Sequence, residues 1–216
     1  RVAKYGIDCD LKDGGIYAAK SRKKVAGLHE HQTLWEKHDP GLKMRLVEGT
    51  AIQDYVRTDA YSAILVDPSG GHIHPLRLAQ GEAAALESLG GVIHEDSRVT
   101  RIARGDRAVV HTAHGEVHAS TVIVACNAYI GELEPKLSAK SMPCGTQVVA
   151  TAPLPNWREI LPTDHCVEDT NYLLDYYRLS ADKRLIFGGG VVYGAKDPSD
   201  IAAFIRPNLE RTFPQL

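Results

Sequence analysis

The stretch Val109–Tyr129, VVHTAHGEVHASTVIVACNAY, decides how this chain is read. A short strand, a turn at His114-Gly115 and a second strand form a hairpin leading into the apolar run Val122-Ile123-Val124. That run stops at the small residues Ala125-Cys126-Asn127-Ala128. An apolar run bounded by turn signals predicts a strand buried on both faces. Small residues at its carboxyl end let another backbone or a flat ligand come close. Open α/β sheets bind dinucleotides outside such strand ends, so the segment predicts one part of a dinucleotide site.

The other parts of such a site are not found. No G-x-G-x-x-G occurs anywhere in the 216 residues, so the usual phosphate-binding turn is missing. Gly188-Gly189-Gly190 follows Leu185-Ile186-Phe187 with no helical pattern after it, which predicts a turn at a strand end. The expectation is an internal piece of a longer protein.

Composition narrows the function classes. A net charge of -2 gives no electrostatic reason to expect nucleic acid or an anionic membrane as partner. No apolar run approaches the roughly 18 residues of a membrane span. Cys9, Cys126, Cys144 and Cys166 are widely spaced without C-x-x-C, the pattern of free thiols in a reducing cytoplasm.

Outward from the hairpin, the pattern is α/β. Asp10–Ala19 predicts a strand interrupted by Gly14-Gly15, and Ser21 caps a helix to about His38 with Val25, Leu28, Leu34 and Trp35 apolar. Tyr61–Val66 predicts a strand broken by Asp67-Pro68-Ser69-Gly70-Gly71. Pro75 opens a helix with an apolar face (Leu76, Leu78, Ala79, Ala83, Leu86, Leu89) that ends at Gly90-Gly91. Short strands follow at Val92–His94 and Arg98–Ile102. After Pro143, strands are predicted at Gln147–Ala152, Tyr172–Leu179 and Arg184–Phe187, then a helix from Asp197-Pro198-Ser199 carrying Ile201, Phe204, Ile205 and Leu209. His29-x-His31 and His72-x-His74 lack the further ligands that zinc requires, so no metal site is expected.

Several of these residues together resemble a known family. Asp67–Leu76, the helix to Gly90, Val99-Thr100-Arg101-Ile102 and Val122–Tyr129 resemble the middle of the FAD-dependent amine and amino-acid oxidases, which include the D-amino-acid, glycine and sarcosine oxidases. Tyr172–Asp182 followed by Leu185-Ile186-Phe187-Gly188-Gly189 is similar to the gamma-glutamylputrescine oxidoreductase subfamily.

The resemblance implies an α/β (α+β mixed) fold: part of a Rossmann-like FAD-binding domain and a substrate domain with a mixed, largely antiparallel sheet. By that resemblance residues 1–71 are the first part of the substrate domain, 72–140 belong to the FAD-binding domain and 141–216 complete the substrate domain. It implies that Val99 presents its backbone to the adenine side of FAD and that Ala125, Cys126, Asn127 and Ala128 approach the dinucleotide. Many relatives carry glycine where Asn127 stands. It also implies that this chain alone does not hold FAD normally.

The implied chemistry is oxidation of an amine carbon with hydride passing to flavin. Tyr176, Tyr177 and Arg178 are the expected substrate contacts, with Arg178 able to pair with a carboxylate. The implied partner is a small-molecule amine or amino acid. A glycine, sarcosine or D-amino-acid oxidase relative, or a non-catalytic module keeping the substrate-domain fold, stay open as alternatives. No catalytic residue and no oligomeric state is readable.

Overall fold

A computed structural model describes residues 1–194 and 196–216. In chain order its elements are α1 (Val2–Tyr5), β1 (Lys12–Ala19), α2 (Arg22–His38), β2 (Arg45–Glu48), β3 (Ala63–His72), α3 (Pro75–Ser88), β4 (Val99–Ala103), β5 (Ala108–Thr112) and β6 (Glu116–Ala119). Then follow α4 (Pro135–Ser138), β7 (Cys144–Pro153), β8 (Cys166–Asp169), β9 (Tyr176–Leu179), β10 (Arg184–Tyr193) and α5 (Ile201–Thr212), with short 3-10 helices at Gly49–Asp54, Asn127–Tyr129 and Trp157–Glu159. Two compact units emerge, one of Arg1–Glu82, Gly145–Val192 and Lys196–Leu216, the other built on Ala83–Cys144.

The first unit is a mixed sheet of seven strands in the order β2-β3-β1-β8-β9-β10-β7. β1 runs parallel to β8, whereas β1–β3, β2–β3, β8–β9 and β9–β10 are antiparallel. Side chains alternate between faces, and the two faces are used differently. Ile16, Ala18, Val47, Ile64, Val167, Tyr177, Leu179, Leu185 and Phe187 form the main core with Ile205 and Phe213. α5 covers that face because Ile201, Ile205 and Leu209 recur at helical spacing. Asp200 caps it by accepting from the Ala203 N–H at 2.8 Å.

On the other face, Ala19, Leu28, Leu42, Met44, Ala63 and Leu65 form a smaller cluster, with Tyr17 and Val25 packed against it. α2 therefore covers only the β2-β3-β1 edge. The same face over β8, β9 and β10 is open.

The glycine pair expected to interrupt β1 does not do so: the strand runs through it from Lys12 to Ala19 and only its register is disturbed. Gly14 has φ of +101°, and the pairing with β3 slips between Asp13 and Gly15. β3 is also unbroken at Asp67-Pro68-Ser69-Gly70-Gly71 and continues to His72. A bulge absorbs Pro68, Ser69 and Gly70: Gly15 pairs with Asp67, and Asp13 with Gly71. A side chain on Gly71 would strike the Lys12 carbonyl, so glycine permits the strand here rather than ending it. Likewise β10 runs through Gly188-Gly189-Gly190 instead of turning there.

The second unit holds an antiparallel sheet of three strands, β4-β5-β6, with the expected hairpin turn closed by Thr112 N–H to Gly115 O at 2.9 Å. Val122-Ile123-Val124, expected to be a strand buried on both faces, is neither strand nor buried, and Ile123 is 85% exposed. A doubly buried strand needs ladder partners and two covering layers, and among the described residues no strand pairs with it.

Val92–His94 is also not a strand, and Tyr172–Asp175 lies outside β9. Leu34, Trp35, Leu76, Leu86 and Leu89 are exposed despite their helical spacing. Periodicity marks a face that can be buried, not one that is.

Candidate substrate and cofactor sites

The open half of the first unit's sheet floors a cavity of about 550 Å³. Strand register places two rows of residues on its floor. Asp67 pairs with Gly15, Gly15 with Cys166, and the β8–β9 pairing sets Arg178 beside Cys166 and Ile186 beside Arg178. Two residues along, on the same face, Tyr17, Glu168 and Tyr176 form the second row, which ends in Leu65 beneath α2 and in Gly188 beneath the Tyr176 ring. Val148 and Leu174 add apolar walls.

The alternation of β9 divides the expected trio of Tyr176, Tyr177 and Arg178. Tyr176 and Arg178 stand on the open face. Tyr177 borders the cavity, yet its ring lies in the core, 2% exposed, stacked on Phe187 at 5.5 Å and hydrogen-bonded to the Tyr61 hydroxyl at 2.9 Å. Adjacent residues of a strand cannot share a face, so Tyr177 is a packing residue.

The ring of Tyr176 lies over Gly188, whose missing side chain leaves room for it. Its hydroxyl donates to Thr146 Oγ1 at 3.2 Å. Arg178 makes one hydrogen bond, Nη1 to the Leu179 carbonyl at 3.0 Å, and enters no ion pair among the described residues. Most of its N–H donors are therefore available to a ligand.

Sequence reasoning missed Gly15, Tyr17, Asp67, Cys166 and Glu168 as lining residues. Asp67 was hidden in a stretch that reads as a turn, and β8 was not predicted at all. Burial raises the pKa of Tyr17, and the negative charges of Glu168 and Asp67 push it the same way. The Cys166 thiol is likewise raised by burial, with Glu168 and Asp67 raising and Arg178 lowering it. Asp67, Glu168 and Arg178 all line this cavity.

In the second unit, Val99 and Cys126 line one cavity of about 610 Å³, together with Arg98, Thr100 and Tyr129. Ala125, Asn127 and Ala128 are exposed beside it, and Asn127 adopts φ of +48° in the turn Asn127–Tyr129. Asparagine tolerates this left-handed region and glycine prefers it. The cavity can seat a flat group of nucleoside size, with Arg98 and Thr100 as polar neighbours.

The whole chain, residues 1–216, matches the family described as FAD dependent oxidoreductase. The chain belongs to that family. It is 50% identical over 219 residues to gamma-glutamylputrescine oxidoreductase of Escherichia coli (strain K12), and 35% identical over 224 residues to the probable oxidoreductase OrdL of Haemophilus influenzae. All of this chain is covered in both cases, but only 51% of each relative. The chain thus spans about half the length of these proteins.

Among solved structures, it superposes on glycine oxidase from Geobacillus kaustophilus with a TM-score of 0.80 at 21% identity, covering 99% of this chain and 58% of that one. On L-proline dehydrogenase from P. horikoshii the TM-score is 0.79 at 17% identity, covering 99% and 59%. At these identities the likeness is one of fold. The FAD-dependent oxidoreductase family therefore carries the expected α/β architecture with a mixed sheet and a second antiparallel sheet.

Proposed function

We propose that this chain forms part of an FAD-dependent oxidoreductase that oxidises the C–N bond of an amine, with a gamma-glutamylputrescine-like substrate. The observation that carries the reading is Arg178, a cation on the open sheet face with a single backbone partner, beside Tyr176. The 50% identity to gamma-glutamylputrescine oxidoreductase supports the same substrate class.

Residues 1–71 and 141–216 are read as the substrate half and 72–140 as part of the FAD half, a reading that the compact unit Ala83–Cys144 supports. The second unit's cavity fits one end of the cofactor, with the Val99 backbone against the adenine and Ala125, Cys126, Asn127 and Ala128 along its edge. When bound, FAD would supply the two-electron oxidant for the carbon next to nitrogen, and hydrolysis of the resulting imine would give an aldehyde.

This chain's residues bind and orient. Arg178 pairs with a substrate carboxylate through parallel N–H donors. Tyr176, Leu174, Val148 and Ile186 exclude water along the substrate's aliphatic part, which favours the neutral amine needed for reaction.

The test is aldehyde and peroxide release by the longer, FAD-loaded protein carrying this chain, over gamma-glutamylputrescine, putrescine, glycine, sarcosine and D-alanine. Preferential turnover of gamma-glutamylputrescine is expected. Turnover of glycine or sarcosine in its place transfers the chain to that oxidase type. With FAD bound and none turned over, the non-catalytic reading stands.

A further inference from the structure

Oxidation of the carbon next to nitrogen needs the nitrogen lone pair, yet an aliphatic amine in neutral water is an ammonium ion. Its extra proton goes either to solvent or to a base in the cavity. Tyr17 and Cys166 are already protonated, because burial above all raises both pKa values. Tyr176 gives its hydroxyl to Thr146, and Arg178 is a cation. Two carboxylates remain, Asp67 and Glu168.

Asp67 is engaged elsewhere. It is 6% exposed, its Oδ1 accepts from the Ser69 N–H at 2.8 Å and the Ser69 hydroxyl at 2.7 Å, and the Gly70 backbone lies over Gly15 beside it. Glu168 is the opposite case. It is exposed on the cavity floor, and its carboxylate makes no hydrogen bond and no ion pair among the described residues. Strand register sets it between Tyr17 and Tyr176. Both rings lean away: Tyr17 packs on His31 at 4.5 Å, and Tyr176 lies over Gly188. Arg178 turns to the Leu179 carbonyl at 3.0 Å, on the side of β9 away from Tyr176. Asp67 on β3 and Arg178 on β9 are the charges that line the cavity with Glu168, and they are of opposite sign.

We infer that Glu168 is the catalytic base of the amine oxidation. One N–H bond of the substrate ammonium breaks, its proton forms an O–H bond to a Glu168 carboxylate oxygen, and the electron pair stays on nitrogen. A carboxylate and an ammonium that meet without water are drawn towards their neutral forms, since desolvation penalises both charges. Val148, Leu174 and Ile186 supply the apolar walls for that exclusion. This rests on the proposed amine-oxidising function and deepens it, because it says where the proton goes.

The test is anaerobic bleaching of the flavin band by saturating gamma-glutamylputrescine in the longer, FAD-loaded protein, wild type and Glu168→Gln, between about pH 7 and 9. Transfer within the complex neither gains nor loses a proton, so the wild-type rate should be flat over that range. Glu168→Gln reacts only after the ammonium has lost its proton to solvent. Its rate should be about a hundredfold lower at neutral pH, the usual contribution of a positioned base, and should climb about tenfold per pH unit towards the amine's own pKa of about 10. Calorimetry gives a readout without turnover, using the analogue with two methyl groups on the carbon next to the terminal amine, which has no hydrogen there to lose. Glu168→Gln should bind it about tenfold more weakly, the size of one charge-assisted contact.

A wild-type rate that itself climbs about tenfold per pH unit overturns the inference and needs no variant to fold. A folded Glu168→Gln with the wild-type rate and profile, or with unchanged affinity for the dimethyl analogue, overturns it as well. Absence of bleaching by any amine in wild type would sink the oxidase reading itself, and the base with it.

Discussion

Tyr61 and Tyr177 hold their hydroxyls 2.9 Å apart inside the main core, and both phenols are buried. Burial raises both pKa values, so neither ionises in the neutral range. The pair explains why the tyrosine between Tyr176 and Arg178 borders the cavity but keeps its ring in the core. Tyr177→Phe removes one partner and leaves the Tyr61 hydroxyl unsatisfied, at a cost of about 1–3 kcal/mol. Urea unfolding should show that loss while calorimetry shows ligand affinity unchanged. Weaker binding without loss of stability would place Tyr177 in the site after all.

Gly188 and Tyr176 form the complementary pair on the open face. Gly188→Ala drives a methyl group into the Tyr176 ring, at an overpacking cost of about 1–3 kcal/mol. Adding Tyr176→Ala to Gly188→Ala should recover most of that stability but not ligand affinity. A double-mutant cycle reads the coupling directly, and additive costs would contradict the contact.

Lys20 anchors the far end of β1 between two buried carboxylates, Asp169 at 2.7 Å and Asp175 at 2.5 Å. Asn208 donates to the other Asp175 oxygen at 2.8 Å and so ties in α5. Lys20→Met strands both carboxylates, and a loss of about 3–5 kcal/mol follows from breaking such a cluster. Combining it with Asp169→Asn and Asp175→Asn should restore much of the loss. Burial lowers the Lys20 pKa, but the bonds to Asp169 and Asp175 outweigh it and the net shift is upward. Its stabilisation is therefore complete below pH 10.5 and lost as pH rises through the higher folded value.

Acid should destabilise the chain in two stages. Burial lowers the pKa of His72 and of His165 below 6.5, so their contributions are full above 6.5 and decline as pH falls through the folded values. Asp164 follows at lower pH. Burial alone would raise it, but Lys183 at 2.6 Å and Lys12 at 2.9 Å hold it below 3.8. Its stabilisation is present above 3.8 and lost as pH falls through the folded value. Thermal unfolding across pH should show both stages, with the upper one reduced in His72→Gln. A pH-independent midpoint between 7 and 5 would contradict the first.

Much of this was legible in the sequence, where local chemistry sufficed. The Ser21 start and Asp39 end of α2 and the hairpin around His114 follow from helix-boundary and turn preferences, although the Ser21 side chain makes no capping hydrogen bond. The errors arose where a distant partner decides the outcome. The Asp67–Gly71 segment is a turn by composition and a strand by its pairing with β1. Cys166–Asp169 contains two carboxylates and little apolar pattern, yet Asp169 is buried because Lys20 meets it. Ile123 errs in the opposite direction, apolar in sequence and exposed in the fold.

The site divides along the same line. Arg178 and Tyr176 were visible as residue types suited to binding. Asp67 and Glu168 could be placed beside them only once strand order was known.

The most direct test is anaerobic mixing of gamma-glutamylputrescine with the longer, FAD-loaded protein, followed at the flavin absorption band, in wild type and Arg178→Gln. The account predicts rapid bleaching in wild type, and in Arg178→Gln a requirement for at least tenfold more substrate, about the value of one charged pair. A band that stays oxidised with every amine tried, or bleaching with unchanged substrate dependence in Arg178→Gln, would contradict it.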